Sequence, residues 1–363
     1  MSQFDLQRFI PAHVSGLKGY HAKEPVASTP EVLKLDLNEC LVPPSPKVLQ
    51  ALRSALTRDN MLNWYPDSSC AELRRSIGRY LNVPAERLMV TNGSNMAMEV
   101  FARAFVGSGD PVLICSPVYD VFEVQCKLQQ ARIEHFYFSE PFNPDFDELT
   151  RRDEAYKLIY LANPNNPTGI GYPREKLLAL LRKRRDTLVL LDEAYHEFYG
   201  VTVVDVLDEF PNLVILRSFS KAFSLAGMRC GYLVAQPSVL EVAARALAPW
   251  AVNGLTQVAA HAAIQDVDYM RAFVAECNQA RRTLVDGLNR LGFVARFCYG
   301  NFILWQVPNP KKAVEILAAR QVYVGNKDSV PQLNGHLRVT IGTTAQARRF
   351  LEIVTELCAE FSA

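Results

Sequence analysis

Short apolar runs alternate with helical stretches through the middle of the chain, and this alternation leaves few folds open. The runs end near residues 91, 115, 137, 161, 191, 217 and 234. Most of them are continuous apolar segments, as expected of strands that are buried on both faces. Strands that alternate with helices form a mainly parallel sheet covered by helices. We therefore predict a mainly parallel seven-stranded sheet between helices, with residues 231–234 as an antiparallel edge strand.

A second pattern begins at Val239. A long helical stretch, interrupted once, runs to about Leu291, and three short strand-like segments follow at 301–305, 320–324 and 337–342. This arrangement is typical of a smaller α+β domain, and a chain of 363 residues suits one large domain plus a smaller one. The predicted fold class is therefore α/β. The predicted domains are an N-terminal arm over 1–35, a large domain over 36–245 and a small C-terminal domain over 246–363.

The composition excludes several classes of protein. Lys plus Arg is 39 and Asp plus Glu is 38, so no net charge favours binding to nucleic acid. The eight cysteines include no Cys-x-x-Cys pair and no spacing typical of metal ligands, which predicts reduced thiols, no bound metal and a cytoplasmic location. No apolar run has the length of a membrane span, and residues 1–18 lack the apolar core of a signal peptide.

The stretch that follows the run ending at 217 carries the strongest chemical signal. It offers two hydroxyls, Ser218 and Ser220, then the amine of Lys221 and the guanidinium of Arg229. Lys221 lies among apolar residues, so desolvation and the nearby Arg229 should both lower its pKa and make it a nucleophile towards an aldehyde. Serine hydroxyls and an arginine are suited to a phosphate. An aldehyde that carries a phosphate is pyridoxal phosphate.

This Ser-x-Ser-Lys string, followed by Gly-x-Arg-x-Gly at residues 227–231, resembles the cofactor-lysine motif of the fold-type I pyridoxal-phosphate aminotransferases. The fuller string is most similar to the histidinol-phosphate aminotransferase group, and the resemblance extends over residues 20–342. It implies an aspartate-aminotransferase-like fold and a homodimer. It also implies that pyridoxal 5'-phosphate is bound by the residues of this motif, Ser218, Ser220, Lys221 and Arg229.

The resemblance also assigns residues to the cofactor ring. Asn166 belongs to the string Asn-Pro-Asn-Asn-Pro-Thr-Gly, and the resemblance implies that its amide binds the ring hydroxyl and contacts the substrate. Asp192 follows an apolar strand, at the end where α/β proteins place their sites. It would pair with the pyridine nitrogen, so that the ring acts as an electron sink. Tyr195 would share the ring oxygen with Asn166, whereas Glu193 and His196 are interpreted as structural.

A phosphate site is expected where the strand at residues 87–91 turns into a helix. Residues 92–94 are predicted to form a turn into a helix that runs from about Asn95 to Phe105. Gly93, Ser94 and Asn95 are the candidates for binding the phosphate, because free backbone N–H groups and the helix dipole favour an anion there. The group usually has an acidic residue at or next to Asn95, so we expect backbone binding there. Tyr119 stands where the family stacks an aromatic residue on the pyridine ring.

Three more residues owe their predicted roles to the resemblance. Tyr65, in Trp-Tyr-Pro-Asp, would reach across the dimer interface to the partner's cofactor phosphate, although the same residues are common in surface turns. Tyr20 falls where the group has a tyrosine near the substrate, with a half-buried aromatic as an equal alternative. Arg338, on the last strand-like segment, would bind the substrate α-carboxylate through a pair of parallel hydrogen bonds.

Together these motifs predict a pyridoxal-phosphate-dependent aminotransferase that moves an amino group between an amino acid or amino-alcohol phosphate and a 2-oxo acid. Lys221 would both anchor the cofactor and move the proton of the substrate Cα. Residues 249–253, Pro-Trp-x-Val-Asn, also resemble the threonine-phosphate decarboxylases, so an amino acid decarboxylase is the alternative. A sensor that only binds the cofactor is disfavoured, because the lysine, aspartate and arginine are all present.

One departure from the histidinol-phosphate group concerns the substrate. Gly325 stands where that group has an arginine that helps to hold the substrate phosphate. Lys327, two residues on, is an alternative cation. Since a phosphate in a partly buried site favours an arginine fork, we expect histidinol phosphate to be a poor substrate. An α-amino acid with a flat or apolar side chain, contacted by residues such as Trp250 and Tyr323, fits better.

Overall fold

The computed structural model describes residues 4–17, 19, 29 and 31–362. Its strands, numbered in chain order, are β1 Leu33–Leu35, β2 Leu88–Thr91, β3 Pro111–Ser116, β4 Arg132–Tyr137, β5 Leu158–Ala162, β6 Leu188–Asp192, β7 Leu213–Ser218, β8 Gly231–Val234, β9 Val294–Arg296, β10 Phe302–Gln306, β11 Val322–Asn326 and β12 His336–Thr340. Its helices are α1 Ala12–Ser15, α2 Pro46–Leu56, α3 Ala71–Leu81, α4 Gly93–Phe105, α5 Val121–Leu128, α6 Asp147–Arg151, α7 Arg174–Lys183, α8 His196–Tyr199, α9 Pro237–Ala244, α10 Gly254–Ile264, α11 Val267–Arg290, α12 Pro310–Ala319, α13 Thr344–Glu356 and α14 Cys358–Ser362.

The larger sheet has seven strands in the order β2-β8-β7-β6-β5-β3-β4. The pairs from β7 to β4 are all parallel, which confirms the mainly parallel sheet predicted from the alternating pattern. β8 runs antiparallel, as predicted, but it pairs with β2 on one side and with β7 on the other. The prediction that β8 lies at the edge is therefore wrong. A four-residue buried strand gives no local sign of how many neighbours it has.

Each central strand packs into two separate apolar cores. In β5, Ile159 and Leu161 belong to one core, whereas Leu158 and Tyr160 belong to the other. Successive side chains of a strand point to opposite faces, so helices cover the sheet on both sides. All four side chains are fully buried, and full burial of a large apolar side chain stabilises the fold by roughly 1.5–3 kcal/mol. This packing holds the carboxyl ends of the parallel strands in place.

The smaller sheet has five strands in the order β1-β11-β12-β10-β9. The sequence predicted β10, β11 and β12 but missed the two edge strands, which have only three residues each and show no clear period. β1 pairs with β11 in parallel, and Leu33 and Leu35 are buried. The arm predicted over residues 1–35 is therefore incorrect at its last three residues, which belong to the small sheet.

Helices α2, α10 and α11 pack around the two sheets. α2 begins with Pro46 in its first turn, and the Ser45 hydroxyl accepts a hydrogen bond from the Lys47 backbone N–H at 3.1 Å. α10 packs against α2 and α3, whereas α11 packs against β9, β10 and α13. The division at residues 245 and 246 stays a prediction. Within the described ranges, no helix combines the length and apolar character needed to cross a membrane.

Candidate active site

The carboxyl ends of the parallel strands open into a cavity of about 570 Å³. Asp192 ends β6 and Ser218 ends β7, so both stand at this edge, and Arg338 enters from β12 of the small sheet. The cavity therefore lies between the two sheets. Eleven of the residues predicted from the sequence line it: Ser94, Asn95, Tyr119, Asn166, Asp192, Tyr195, Ser218, Ser220, Lys221, Arg229 and Arg338.

One end of the cavity is built to receive an anion. Arg229 Nη1 lies 3.3 Å from the Ser220 hydroxyl, beside the first turn of α4. A Cβ added at Gly93 would lie 2.5 Å from Arg229 Nη2, and one added at Gly231 would lie 2.5 Å from the Ser94 backbone nitrogen. Both glycines therefore let the guanidinium and β8 approach the start of α4. Gly93 itself makes this room and does not line the cavity.

Lys221 stands in the middle of the cavity wall. Its Nζ donates to the Asn38 backbone oxygen at 3.0 Å and lies 5.7 Å from the centre of the Tyr195 ring. Burial, and after it the positive charge of Arg338, lower the pKa of Lys221 to about 7, with a smaller contribution from Arg229. The lowered pKa agrees with the sequence prediction, but the influence of Arg338 was not foreseen. A pKa near 7 leaves much of the amine neutral and nucleophilic.

Asp192 is a buried carboxylate with two donors. The Tyr160 hydroxyl donates to its Oδ2 at 3.1 Å, and the Ala194 backbone N–H donates to its Oδ1 at 2.9 Å. Burial raises the pKa of Asp192 to about 6, although both hydrogen bonds act in the opposite direction. A cation on the cavity side would favour the ionised carboxylate. The site is therefore suited to a protonated ring nitrogen.

Polar side chains from β12 and from the loops that follow β5 and β6 line another part of the cavity. Arg338 Nη1 donates to Asn166 Oδ1 at 2.7 Å, and its Nη2 donates to the Asp36 backbone oxygen at 2.8 Å. Because Asn166 Oδ1 is occupied, its amide N–H groups remain as donors. The Tyr195 hydroxyl accepts from Asn38 Nδ2 at 2.9 Å. Arg338 is 7 % exposed, and a carboxylate there would offset the cost of its burial.

The remaining predicted residues lie apart from this wall or outside the described residues. Tyr119 is partly exposed on the cavity wall and receives a long hydrogen bond of 3.5 Å from Asn95 Nδ2. Tyr65 does not line the cavity; it is 79 % exposed and stacks on Trp250 with ring centres 4.4 Å apart. Trp250 and Tyr323 do not line the cavity either. Tyr20 lies outside the described residues.

The sequence analysis did not identify several polar residues of the site. Asn38 and Tyr160 hydrogen-bond the predicted residues, and Ser116 and His135 line the cavity with Oγ and Nδ1 2.9 Å apart. Tyr160 is a polar interruption of the apolar strand β5, which is a signal that could have been used, whereas His135 lies in the largely polar strand β4 and does not stand out. Asn38 gave no such signal, because its partners are distant in sequence.

Residues 30–354 match the aminotransferase class I and II family, and the chain belongs to that family. It is accordingly an enzyme, an aminotransferase. The chain is 34% identical to the dihydroxyacetone phosphate transaminase of Campylobacter jejuni subsp. jejuni, over 91% of each chain. It is 30% identical to a histidinol-phosphate aminotransferase of Ruminiclostridium cellulolyticum, over 97% of this chain and 99% of the other.

Solved structures share the fold. A putative histidinol-phosphate aminotransferase from Erwinia carotovora atroseptica has a TM-score of 0.83 at 23% identity, covering 92% of this chain and 97% of its own. The Sinorhizobium meliloti histidinol-phosphate aminotransferase, in complex with pyridoxal-5'-phosphate, has a TM-score of 0.80 at 23% identity, with coverages of 90% and 91%. An aspartate aminotransferase from Thermus thermophilus has a TM-score of 0.76 at 24% identity, with coverages of 90% and 91%. These similarities confirm the predicted aspartate-aminotransferase-like fold.

Proposed function

We propose that this aminotransferase uses the cavity between its sheets to transfer an amino group from a small amine with an anionic group to a 2-oxo acid. Pyridoxal 5'-phosphate is the cofactor. The observation that carries the proposal is that Lys221, Asp192 and Arg338 line one cavity. They supply a nucleophilic amine, a buried anion and a buried cation.

The donor set of the cavity fits this cofactor. Arg229, Ser218, Ser220 and the start of α4 at residues 93–95 would hold the phosphate, because they offer hydroxyls, a guanidinium and free N–H groups. Asp192 would bind the ring nitrogen, Asn166 and Tyr195 the ring oxygen, and Tyr119 the ring face. When bound, the cofactor supplies an electron sink for the negative charge that develops at the substrate Cα.

Lys221 performs the proton transfer in this proposal. Once the amine is free, it would accept the proton from the substrate Cα as a general base and later release that proton as a general acid. A pKa of about 7 suits both tasks, since the amine is present in both forms near neutral pH. The Asn38 backbone oxygen, 3.0 Å from Nζ, can hold the free amine in position.

The substrate class follows from the Arg338 end of the cavity. Arg338 can bind a carboxylate, and Gly325, its partner on the neighbouring strand, adds no second cation. This supports an α-amino acid as the amino donor. A phosphorylated amine is the second candidate, because Lys327 also lines the cavity. The names of the relatives, which include dihydroxyacetone phosphate and histidinol phosphate, favour this second candidate.

The proposed enzyme is a homodimer in which Tyr65 contacts the cofactor phosphate of the partner subunit. The exposure of Tyr65, 79 %, and its stacking on Trp250 outside the cavity of its own chain support this proposal. A cytoplasmic location stays a prediction. The buried thiols of Cys115, Cys126 and Cys230 agree with a reducing environment.

The proposal is tested by incubating the cofactor-loaded enzyme with a panel of amino donors and 2-oxoglutarate. We expect the unaltered enzyme to form glutamate with at least one donor. The Lys221→Ala variant should form no glutamate and should lose the visible absorbance of the cofactor on dialysis. Release of carbon dioxide without need for an oxo acid would instead indicate a decarboxylase, the reaction named for a structural neighbour from Porphyromonas gingivalis. An alanine variant that keeps the wild-type spectrum would exclude Lys221 as the anchoring residue.

A further inference from the structure

Residues 36–39 link the small sheet to the lysine of the large one. They follow β1 and pass directly over the cavity, where Leu37 is one of the lining residues. Asn38 is 1 % exposed, and its φ of 53° lies in the left-handed region. Asparagine tolerates this conformation better than most residues. A buried asparagine with this backbone is held by its surroundings, so its contacts are informative.

On the large-sheet side, Asn38 contacts both groups that face the reacting centre. Its side-chain Nδ2 donates to the Tyr195 hydroxyl oxygen at 2.9 Å. Its backbone oxygen accepts from Lys221 Nζ at 3.0 Å. Asn38 therefore holds the Lys221 amine in place and also donates a hydrogen bond to the Tyr195 hydroxyl.

On the small-sheet side, three contacts fix Asn38 itself. Its backbone N–H donates to Thr340 Oγ1 at 3.0 Å, and the same hydroxyl donates to Asn38 Oδ1 at 3.3 Å. Asn301 Nδ2 donates to the Asn38 backbone oxygen at 3.1 Å. Since Thr340 takes the amide oxygen, the amide nitrogen must point to Tyr195. The orientation of the side chain is thus set by its partners.

We infer that Asn38 is a positioning residue that directs the Tyr195 hydroxyl proton into the cavity and holds the free amine of Lys221. Because Asn38 Nδ2 donates to the Tyr195 oxygen, the Tyr195 O–H must donate to another acceptor. With the cofactor bound, its ring oxygen would be that acceptor. The inference rests on the proposed function. It adds Asn38, which lies in the turn after β1, to the residues that serve the proposed reaction.

Removal of the Asn38 side chain leaves the charged and titratable groups around Lys221 and Tyr195 unchanged. Those that act on Lys221 and Tyr195 are Arg338, Glu39, Arg229, Asp192 and Tyr119. A change that follows removal of the Asn38 amide therefore reports the hydrogen bond to Tyr195. A Tyr195 O–H that donates to the ring oxygen stabilises the deprotonated form of the bound cofactor. Loss of the Asn38 amide, which orients this O–H, should therefore raise the midpoint pH of the titration of the visible absorbance.

The test is a pH titration of the visible absorbance of the cofactor-loaded Asn38→Gly variant. Glycine keeps the left-handed backbone and all three main-chain hydrogen bonds, so only the amide is lost. We expect the midpoint to rise by about half a pH unit or more. Asn82→Gly is the matched control, because Asn82 is exposed, has a φ of 55° and does not line the cavity. Its midpoint should equal that of the wild type.

Thr340→Val provides a second variant that keeps the shape of the site while removing the hydroxyl that orients the amide. We expect a smaller rise of the titration midpoint than in Asn38→Gly. If Asn38→Gly fails to fold, the midpoint of Thr340→Val tests the inference instead. A lower melting temperature with an unchanged midpoint in the folded variants would make Asn38 merely structural and overturn the inference. A wild-type enzyme with no visible band that depends on Lys221 would refute the proposed function instead.

Discussion

Gly325 and Arg338 lie directly opposite each other on the antiparallel strands β11 and β12. Opposed residues of this kind point to the same face of a sheet. A Cβ added at Gly325 would lie 3.7 Å from the Arg338 Cβ, and 3.3 Å from the Asp36 backbone oxygen. An arginine at position 325 would therefore run beside Arg338 towards the cavity after a small shift of the neighbouring turn. The glycine leaves a single guanidinium on this part of the wall.

This relationship predicts the substrate preference. The unaltered enzyme should have a higher kcat/KM for an α-amino acid than for histidinol phosphate, because a phosphate in a partly buried site favours an additional arginine fork and Gly325 supplies none. Gly325→Arg should raise kcat/KM for histidinol phosphate by about tenfold, or roughly 1.4 kcal/mol of transition-state binding. The measurement is a side-by-side kinetic comparison with a panel of α-amino acids.

Lys327→Ala is the control for this comparison, since Lys327 also lines the cavity. If histidinol phosphate is already preferred tenfold in the unaltered enzyme, Gly325 does not exclude a phosphate, and the roles proposed for the cofactor-binding residues are unaffected. A loss of that preference in Lys327→Ala would then identify Lys327 as the phosphate-binding cation.

Asp192→Asn should fold and bind the cofactor but lose most of its turnover. A neutral amide cannot hold a proton on the ring nitrogen, so we expect kcat to fall by about 100-fold or more. Tyr160→Phe removes the donor 3.1 Å from the carboxylate while leaving its charge, and should cause a smaller loss. Single-turnover rates of both variants are the measurement. Turnover near the wild-type value in Asp192→Asn would refute the proposed ring contact.

Lys221→Met should stabilise the cofactor-free protein in a pH-dependent way. The lowered pKa, about 7 against an ordinary value of 10.5, means that the folded state binds the lysine proton less well than the unfolded chain does. The resulting destabilisation is complete below pH 7 and disappears as the pH rises towards 10.5. Methionine removes it, so we expect a gain on the order of 2 kcal/mol at pH 6 and little gain near pH 10.

Chemical denaturation of the apoprotein at both pH values measures this difference. An equal gain at pH 6 and pH 10 would mean that the methionine acts through packing, and that the pKa of Lys221 is not lowered by its site.

Tyr65→Ala should be defective as a homodimer yet active when mixed with Lys221→Ala. If Tyr65 serves the partner's site, a mixed dimer contains one site in which both residues are intact. Co-expressed subunits that assort at random would recover roughly a quarter of the wild-type activity. Each variant expressed alone is the control. Failure to recover activity in isolated mixed dimers would show that Tyr65 does not act across the interface.

Much of the site could be predicted because its chemistry is local. Lys221 lies in the motif that follows β7 and Asp192 at the end of β6, and parallel strands bring their carboxyl ends to one edge. Once the alternating pattern indicated a parallel sheet, these side chains had to lie close together. The lowered pKa of Lys221 also followed from its apolar neighbours, although the sequence named Arg229 and the larger charge effect comes from Arg338.

The amino-acid sequence by itself thus determined the seven strands of the larger sheet, three of the smaller one, the cofactor motif and the reaction class, because these depend on neighbouring residues. Only the tertiary structure placed β8 inside the sheet, joined β1 to β11, and brought Asn38 to Tyr195 and Arg338 to Lys221. These contacts join segments that are far apart in the chain. No local period encodes them, because they form only when burial of both sheets closes the cavity between them.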